Sequence, residues 1–287
     1  MSDPPLPTFD LVVATLGRSL ELDTLLSSLA RQTHRDFRVI VVDQNEDDRV
    51  GSLLAARDDL DVMRVRSAAG LSRARNVALP RLTADVVGFP DDDCFYTQDL
   101  LERVARRLAD RPDLDGVTGR PRDPDGRPTG RWREQRFVVT RDTVWYCGNS
   151  HTMFLRRPLV ERVGRFDEGL GLGSGTPWHA GEEIDFVARA VLEGARIEYD
   201  PELVVFHPAK PLTPGGERAL GLRDGASVGY ILGKNRYPLR ALARMLVRPT
   251  GGIGVSLARR DLAAAAFQAA TLRGRILGYR AGRRSRT

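Results

Sequence analysis

Cysteine is almost absent from this sequence of 287 residues, which contains only Cys94 and Cys147. Their spacing matches neither a redox pair nor a thiolate metal site, and we interpret them as two reduced thiols in a cytosolic protein. No apolar run is long enough to span a bilayer, and residues 1–8 lack the basic and apolar regions of a signal peptide. We therefore expect a cytoplasmic protein.

Two common phosphate-binding signatures are also missing. The sequence contains no Gly-x-Gly-x-x-Gly and no Gly-Lys-Ser/Thr, so it supports neither the usual dinucleotide-binding fold nor a P-loop. A nucleotide bound by this chain would have to use other groups, such as polar residues at strand ends and a metal ion on its diphosphate.

Acidic residues are scarce in the last part of the chain. From Lys210 to Thr287 there are 16 basic and three acidic residues, a net charge of +13, whereas the first 209 residues carry −7. This split argues against a nucleic-acid groove across the molecule. Apolar and basic residues alternate here in two predicted amphipathic helices, divided at Pro249–Gly252. Such helices can lie on an anionic membrane surface or pack on the acidic remainder, and both remain open.

Four strand-then-helix units fill the first part of the chain. The predicted strands are short apolar runs at residues 9–15, 37–43, 62–67 and 85–90. This order predicts an α/β fold, a doubly wound and mostly parallel sheet with right-handed crossovers and a helical C-terminal extension. We divide the chain into residues 1–119, residues 120–209 and the extension, residues 210–287.

Asp91, Asp92 and Asp93 directly follow the fourth predicted strand. Like charges about 4 Å apart repel by roughly 4 kcal/mol at an effective dielectric constant near 20, so this triplet needs a proton, a basic neighbour or a cation. Carboxylate oxygens suit Mg²⁺ or Mn²⁺. Because the carboxyl ends of parallel strands share one edge of a sheet, we expect Thr15 and Asp43 beside the triplet. A solvated acidic turn is the alternative.

Seven short motifs follow one another along the first 209 residues. They are Thr15, Val41-Val42-Asp43, Gly70-Leu71-Ser72-x-Ala74-Arg75-Asn76, Asp91-Asp92-Asp93, Gly164-x-Phe166-Asp167-Glu168, Gly181-Glu182-Glu183-x-Asp185-Phe186 and Pro201-x-x-x-x-Phe206-His207-Pro208. In this order and spacing they resemble glycosyltransferase family 2. The resemblance implies the GT-A fold and an inverting enzyme that uses a nucleoside-diphosphate sugar and a divalent metal. It assigns residues 1–119 to donor binding and residues 120–209 to acceptor binding.

The resemblance also implies a role for each matching residue. The donor would be bound by Thr15, Asp43, Gln44, Arg75, Asp91 and Asp92, and the metal, Mn²⁺ or Mg²⁺, by Asp91, Asp93 and His207. An ordinary strand-end histidine is the alternative for His207. Gln44 stands where many family members have Asp or Asn, so the donor base stays open among uridine, guanosine and thymidine.

Glu183 stands at the position of the family's catalytic aspartate, and we predict that it deprotonates the acceptor hydroxyl. The acceptor would be a saccharide, a lipid-linked sugar or a small molecule near Trp178, His179, Glu182 and Asp185. A core role is the alternative for Trp178. Successive helical residues point about 100° apart, so Asp185, roughly 200° around from Glu183, should face elsewhere or fix a loop or an arginine.

Two other functions remain open from the sequence alone. A non-catalytic sugar-nucleotide-binding protein would not need both the triplet and Glu183. A nucleotidyltransferase that makes the sugar nucleotide would favour a Gly- and Lys-containing loop after the first strand, where this chain has Thr15-Leu16-Gly17-Arg18. We expect no nucleic-acid partner, and the sequence does not specify the sugar, the acceptor or the pathway.

Overall fold

The computed structural model describes residues 5–130, 132–147, 149–208 and 216–285. The strands within them are β1 (Phe9–Thr15), β2 (Phe37–Asp43), β3 (Val62–Arg66), β4 (Val86–Gly88), β5 (Phe95–Tyr96), β6 (Gly116–Arg122), β7 (Phe137–Val138), β8 (Met153–Arg156) and β9 (Ile197–Phe206). The helices are α1 (Leu20–Ala30), α2 (Arg49–Ala55), α3 (Leu71–Ala78), α4 (Leu100–Asp110), α5 (Arg157–Val163), α6 (Glu182–Leu192), α7 (Glu217–Lys234), α8 (Leu239–Ala258) and α9 (Leu262–Arg284). None of these described helices combines the length and the hydropathy that a bilayer crossing requires.

The chain divides into two compact units. The first comprises residues 1–166 and 186–209 and contains the sheet. The second comprises residues 167–185 and 210–287 and contains α7, α8 and α9. The three segments predicted from the sequence divide the chain by function rather than by compactness, and they remain a prediction.

Within the described residues, the first unit is built on a nine-stranded sheet. The strand order is β3-β2-β1-β4-β8-β6-β9-β5, and β7 pairs with β9. β1 pairs in parallel with β2 and β4, and β2 pairs in parallel with β3. β8 is antiparallel to β4 and β6, whereas β6 and β9 are parallel. The predicted α/β fold with a mostly parallel sheet is confirmed.

The core of the first unit fixes where the strands end. β1 contributes Leu11 and Val13, and α1 buries Leu22, Leu25 and Leu29, whose spacing of three and four places them on one helix face. Each fully buried leucine contributes about 1.5–3 kcal/mol relative to an exposed one. This packing holds β1 and its neighbours in register, and so it fixes the polar residues that follow them.

In the second unit, α7 and α9 pack backbone against backbone. Glycines recur every four residues on both helices, at Gly221, Gly225, Gly229 and Gly233 of α7 and at Gly274, Gly278 and Gly282 of α9. A Cβ atom on Gly229 would lie 2.1 Å from the carbonyl oxygen of Arg275, and one on Gly278 would lie 2.0 Å from that of Ala226. The helices approach this closely because these positions carry no side chain.

Gly229→Ala is therefore expected to destabilise the second unit by about 1–3 kcal/mol, since the added methyl group must push α7 and α9 apart. Gly254→Ala is the matched control, because an added Cβ at this position inside α8 meets no atom within 4 Å. That change should stabilise by about 0.5–1 kcal/mol, since alanine loses less backbone entropy than glycine in a helix. Thermal unfolding of the full chain measures both shifts, and melting temperatures that move in the same direction would contradict the close packing.

The predicted division of the C-terminal helices at Pro249–Gly252 is wrong, because α8 runs unbroken through Pro249. A proline has no N–H, so the carbonyl of Met245, four residues earlier, loses its usual helical donor. The guanidinium of Arg275 donates a hydrogen bond to that carbonyl instead. The helices separate at Arg260, whose φ of 59° lies outside the helical region.

Candidate active site

The carboxyl ends of β1, β2 and β4 lie along one edge of the sheet. Thr15 and Asp43 are register partners at the ends of β1 and β2. Asp91, which follows β4, forms an isolated parallel bridge with Ala14. The sheet therefore brings Thr15, Asp43 and the three successive aspartates to the same edge.

Two histidines meet the aspartate triplet at this edge. Nδ1 of His151 lies 3.1 Å from Oδ2 of Asp91, and Nε2 of His207 lies 3.0 Å from Oδ1 of Asp93 and 3.8 Å from Oδ2 of Asp91. The imidazole rings stack with their centroids 4.8 Å apart. In the described residues, Asp91, His151 and His207 form a cluster whose ligand atoms all lie within 4.8 Å of one another.

This cluster fits a divalent cation. Carboxylate oxygen and imidazole nitrogen are both common metal ligands, and one cation can contact all three side chains at the observed separations. In addition, Nε2 of His151 is buried and has no hydrogen-bond partner within the part of the chain that the structure describes. A buried polar atom without a partner is costly, and an ion bound by this imidazole would account for it.

Arg18, in the turn after β1, supplies positive charge to the other side of the triplet. Its Nη1 atom lies 2.7 Å from Oδ1 of Asp92 and 2.6 Å from Oδ2 of Asp93. Burial lowers the pKa of Arg18, but the charges of the two carboxylates raise it by more, so the net pKa lies above its ordinary value. Arg18 therefore remains charged and offsets part of the repulsion within the triplet.

The three aspartates differ in their protonation behaviour. Burial raises the pKa of Asp91, but the hydrogen bond and charge of His151 outweigh it and hold that pKa well below its usual range. Burial likewise opposes ionisation of Asp93, and its contact with His207 lowers the net pKa. Asp92 has a raised pKa because burial dominates there. The two carboxylates that contact the histidines are thus the ones held in the ionised state that a metal requires.

Arg75 and Ser150 orient Asp91 from the protein interior. Arg75, on α3, is 1% exposed, and its Nη2 lies 3.4 Å from Oδ1 of Asp91. Its guanidinium packs over the ring of Phe166 at 5.4 Å from the centroid. The hydroxyl of Ser150 donates to the same Oδ1 over 3.2 Å. One oxygen of Asp91 is thereby held by the protein, while the other faces the two histidines.

Asp43 and Gln44 both make hydrogen bonds that shape the neighbouring loops. Oδ1 of Asp43 accepts from the backbone and side-chain N–H groups of Asn45, and its Oδ2 accepts from Arg64 at 2.7 Å and 3.0 Å. Burial raises the pKa of Asp43, and these hydrogen bonds lower it to a net value below the usual one. Oε1 of Gln44 accepts from the backbone N–H of Gly70. Their predicted contacts to the donor would be additional to these bonds.

The predicted catalytic region lies in the second unit, at the start of α6. Glu182 is 4% exposed and Glu183 is half-buried. Asp185 is fully buried, and both its oxygens accept from Nζ of Lys234 at 2.9 Å, while Oδ1 also accepts from Nδ2 of Asn235. Asp185 thus pairs with a lysine of α7, and the predicted role of this residue in fixing a loop or an arginine remains a prediction.

Lys234 ties the preceding segment to α7 as well, because its Nζ lies 2.8 Å from Oδ2 of Asp167. Trp178, in the same segment, stacks on Tyr230 of α7 with centroids 4.7 Å apart and an angle of 13°. His179 is half-buried. Residues 167–185 are thus held against α7 by one ion-pair cluster and one aromatic stack.

Residues 10–165 match the sequence model described as Glycosyl transferase family 2, which covers more than half of the chain. The chain belongs to glycosyltransferase family 2. It is 28% identical over 214 residues to the pre-mycofactocin glycosyltransferase of Mycobacterium tuberculosis, a match that covers 68% of this chain and 42% of that protein. It is also 28% identical over 250 residues to the succinoglycan biosynthesis protein ExoM of Rhizobium meliloti, covering 80% and 77% respectively. The chain thus spans about two fifths of the first relative and most of the second.

Solved structures of glycosyltransferases share the fold. The mannosyltransferase PcManGT from Pyrobaculum calidifontis, determined with GDP-Man and Mn²⁺, superposes with a TM-score of 0.64 at 18% identity and covers 96% of this chain and 87% of that one. TarS from S. aureus gives a TM-score of 0.62 at 18% identity, covering 91% and 54%. The predicted family and the predicted GT-A fold are both confirmed.

The sequence did not predict the roles of Arg18, His151 and Ser150 beside the triplet, nor that of Lys234 beside Asp185 in the second unit. Arg18 lies in a turn, His151 precedes β8, and Lys234 ends α7. Arg18 had a recognisable signal, since it is the first basic residue after a strand that ends at the acidic rim. His151 and Lys234 had none, because their partners lie 60 and 49 residues away in sequence.

Proposed function

We propose that this chain is an inverting glycosyltransferase that moves a sugar from a nucleoside-diphosphate sugar to a hydroxyl group of an acceptor. The observation that carries the proposal is the carboxylate and imidazole cluster of Asp91, Asp93, His151 and His207 at the carboxyl edge of the sheet. In an open α/β sheet this edge is where ligands bind. Family membership supports the same activity.

A divalent metal would be held by Asp91, Asp93, His151 and His207. When bound, it would supply positive charge that stabilises the leaving diphosphate. The structure of PcManGT contains Mn²⁺ with GDP-Man, which supports the same pairing here. We favour Mn²⁺ over Mg²⁺, because imidazole nitrogens are poor ligands for Mg²⁺.

The protein's own residues would share the remaining work. Arg18 and Arg75 place two guanidinium groups against the triplet, where they hold its geometry and add positive charge beside the diphosphate. Glu183 would accept the proton of the acceptor hydroxyl, and the N-terminal turn of α6 favours its ionised form. Attack of the resulting oxygen on the face opposite the diphosphate inverts the anomeric carbon.

The acceptor class stays broad in this proposal. ExoM is a succinoglycan biosynthesis protein and another relative acts on pre-mycofactocin, so a growing saccharide and a small molecule are both compatible. Lipid-linked saccharides are a third class. An anionic membrane surface is a further partner that the basic second unit favours.

Thermal unfolding in the presence of UDP, GDP or TDP, each with Mn²⁺, tests the proposal and identifies the nucleoside base of the donor. One nucleoside diphosphate at 100 times its dissociation constant should add about 2.7 kcal/mol of stability, a rise of several degrees in melting temperature. The rise should vanish without metal. Asp125→Ala, a change in an exposed turn, should show the same rise with nucleotide and Mn²⁺ as the unchanged chain. Asp93→Ala should show no such rise. Absence of a metal-dependent rise with any of the three would count against the proposal.

A further inference from the structure

Helix α8 packs on the rest of the second unit with one face, which includes the half-buried Leu242, Met245, Leu246 and Ile253. Of its 20 residues only Ala241 and Pro249 are buried. Large apolar side chains remain exposed, with Leu239 at 70%, Val247 at 69% and Leu257 at 52%. A helix in a globular domain normally turns its apolar residues inward, so this exposure points to a surface that another apolar phase covers.

Six exposed, uncharged residues of α8 form one continuous strip, while the exposed Val255 lies outside it, on the side of the arginines. At about 100° per residue, the strip spans roughly a quarter of the helix circumference. It contains Leu239, Ala243, Val247, Thr250, Gly254 and Leu257, all of them uncharged and exposed. The strip therefore runs along the whole length of α8 without interruption by a charge.

A row of arginines borders the strip on one side. Arg240, Arg244 and Arg248 recur every four residues and are exposed, and α8 contains no acidic residue. Further exposed positive charge lies at the two ends of the helix, at Arg236 and Arg260. Long basic side chains beside a shallow apolar strip are the pattern of a helix that lies in the plane of a membrane interface.

A second feature of this unit has the same chemistry. Arg218 of α7 and Arg273 of α9 line a groove of about 600 Å³ whose other lining residues are apolar, among them Leu222 and Ala266. Such a groove suits one acyl chain whose anionic headgroup lies at the rim. The groove therefore favours an amphiphilic anionic partner, independently of the exposed face of α8.

The strip and the arginine row together select the partner. A nucleic acid would match the arginines but would leave Leu239 and Val247 against a polar phosphate backbone. A lipid bilayer takes up apolar side chains at the level of its headgroups, and anionic lipids attract each basic residue near the surface. We propose that the exposed face of α8 binds an anionic lipid bilayer and anchors the second unit to it. This proposal does not rest on the proposed sugar transfer.

Co-flotation of the full chain with lipid vesicles tests the proposal. We expect binding to vesicles of 70% phosphatidylcholine and 30% phosphatidylglycerol that is much stronger than binding to pure phosphatidylcholine and that falls as salt rises. Replacement of Arg240, Arg244 and Arg248 by glutamine should weaken binding about a hundredfold, from the contribution of each basic residue near an anionic surface. Val247→Asp should weaken it at least tenfold through the loss of an inserted apolar side chain.

Matched controls separate this face from general electrostatics. The triple change Arg103→Gln, Arg106→Gln and Arg127→Gln removes the same charge from exposed arginines of the first unit and should leave binding within a few-fold of the unchanged chain. Leu192→Asp, an exposed leucine of α6, is the control for Val247→Asp. Leu257→Asp provides a second change in the strip if Val247→Asp unfolds.

Three results would overturn the proposal. One is failure of the full chain to bind the anionic vesicles at low salt. Another is an equal loss of binding in the control and the α8 variants. The third is a dimer in solution, measured by light scattering, that Val247→Asp dissociates, because the strip would then be covered by a second copy of the chain.

Discussion

Glu183→Gln is expected to lower the rate of sugar transfer by roughly 10²–10⁴-fold while leaving the affinity for the nucleotide and the metal unchanged. The amide keeps the size and the hydrogen-bonding reach of the carboxylate but cannot accept the acceptor's proton. Transfer is measured with saturating donor and acceptor once thermal unfolding has identified the nucleoside base of the donor. Nucleotide affinity is measured in parallel by calorimetry.

The neighbouring acidic residues provide the controls for Glu183→Gln. Asp185 is fully buried between Lys234 and Asn235, so Asp185→Asn removes a carboxylate partner of Lys234, which keeps its contact to Asp167. Removal of one member of a fully buried pair costs about 3–5 kcal/mol. Because Lys234 is partly exposed and keeps Asp167, the variant should lose less stability than this, with a smaller loss of rate per folded molecule than Glu183→Gln. Glu182→Gln should also cost less in rate than Glu183→Gln. If Glu183→Gln transfers sugar at nearly the rate of the unchanged chain while Asp185→Asn does not, Glu183 is not the catalytic base.

Asp93→Ala is expected to abolish metal-dependent nucleotide binding and to lower transfer by at least about a hundredfold. The change removes the carboxylate next to Nε2 of His207 and one of the two aspartates that the Arg18 guanidinium contacts. His151→Ala and His207→Ala should each weaken Mn²⁺ binding, which is measured directly by the paramagnetic resonance of free Mn²⁺. Excess chelator should reproduce the loss of activity in the unchanged chain.

Asp125→Ala serves as the carboxylate control for Asp93→Ala, because its side chain lies in an exposed turn and is 69% exposed. It should bind Mn²⁺ and nucleotide like the unchanged chain. Full activity in excess chelator, or normal Mn²⁺ affinity in both histidine variants, would show that the cluster does not hold a catalytic metal.

The half of the site that follows parallel strands was predictable from the sequence. β1 and β2 are short, largely β-branched runs that end in a polar residue, and the triplet begins three residues after β4. Parallel pairing brings Thr15, Asp43 and the triplet to one edge. The family resemblance added His207, which follows β9. These predictions depend on local pattern and on one general rule of sheet topology.

The remaining half depends on contacts that no local pattern specifies. His151 reaches Asp91 because β8 inserts antiparallel beside β4, so that the start of β8 lies at the edge where β4 ends. The sequence before β8 shows an ordinary polar turn. Likewise, no local pattern around Asp185 indicates that it pairs with Lys234, almost 50 residues later.

In the second unit, the sequence-based prediction of a helix break was wrong for a different reason. Pro249 and the glycines after it predict a break, yet α8 continues because Arg275 of another helix satisfies the carbonyl that Pro249 leaves without a donor. The glycines of α7 and α9 were visible in the sequence at a spacing of four. Their role, to let the backbones of α7 and α9 touch, depends on the pairing of these two helices, which the spacing alone does not specify.

Proton NMR of a nucleotide sugar incubated with the full chain and Mn²⁺ follows the proposed reaction at the anomeric carbon, with water replacing the unidentified acceptor. The donor carries the base selected by thermal unfolding. We predict slow release of the nucleoside diphosphate together with a sugar of inverted anomeric configuration, observed before mutarotation, and no release in chelator or with Asp93→Ala. Release of the sugar with retained configuration, or unchanged release in the presence of chelator, would contradict an inverting, metal-dependent transfer.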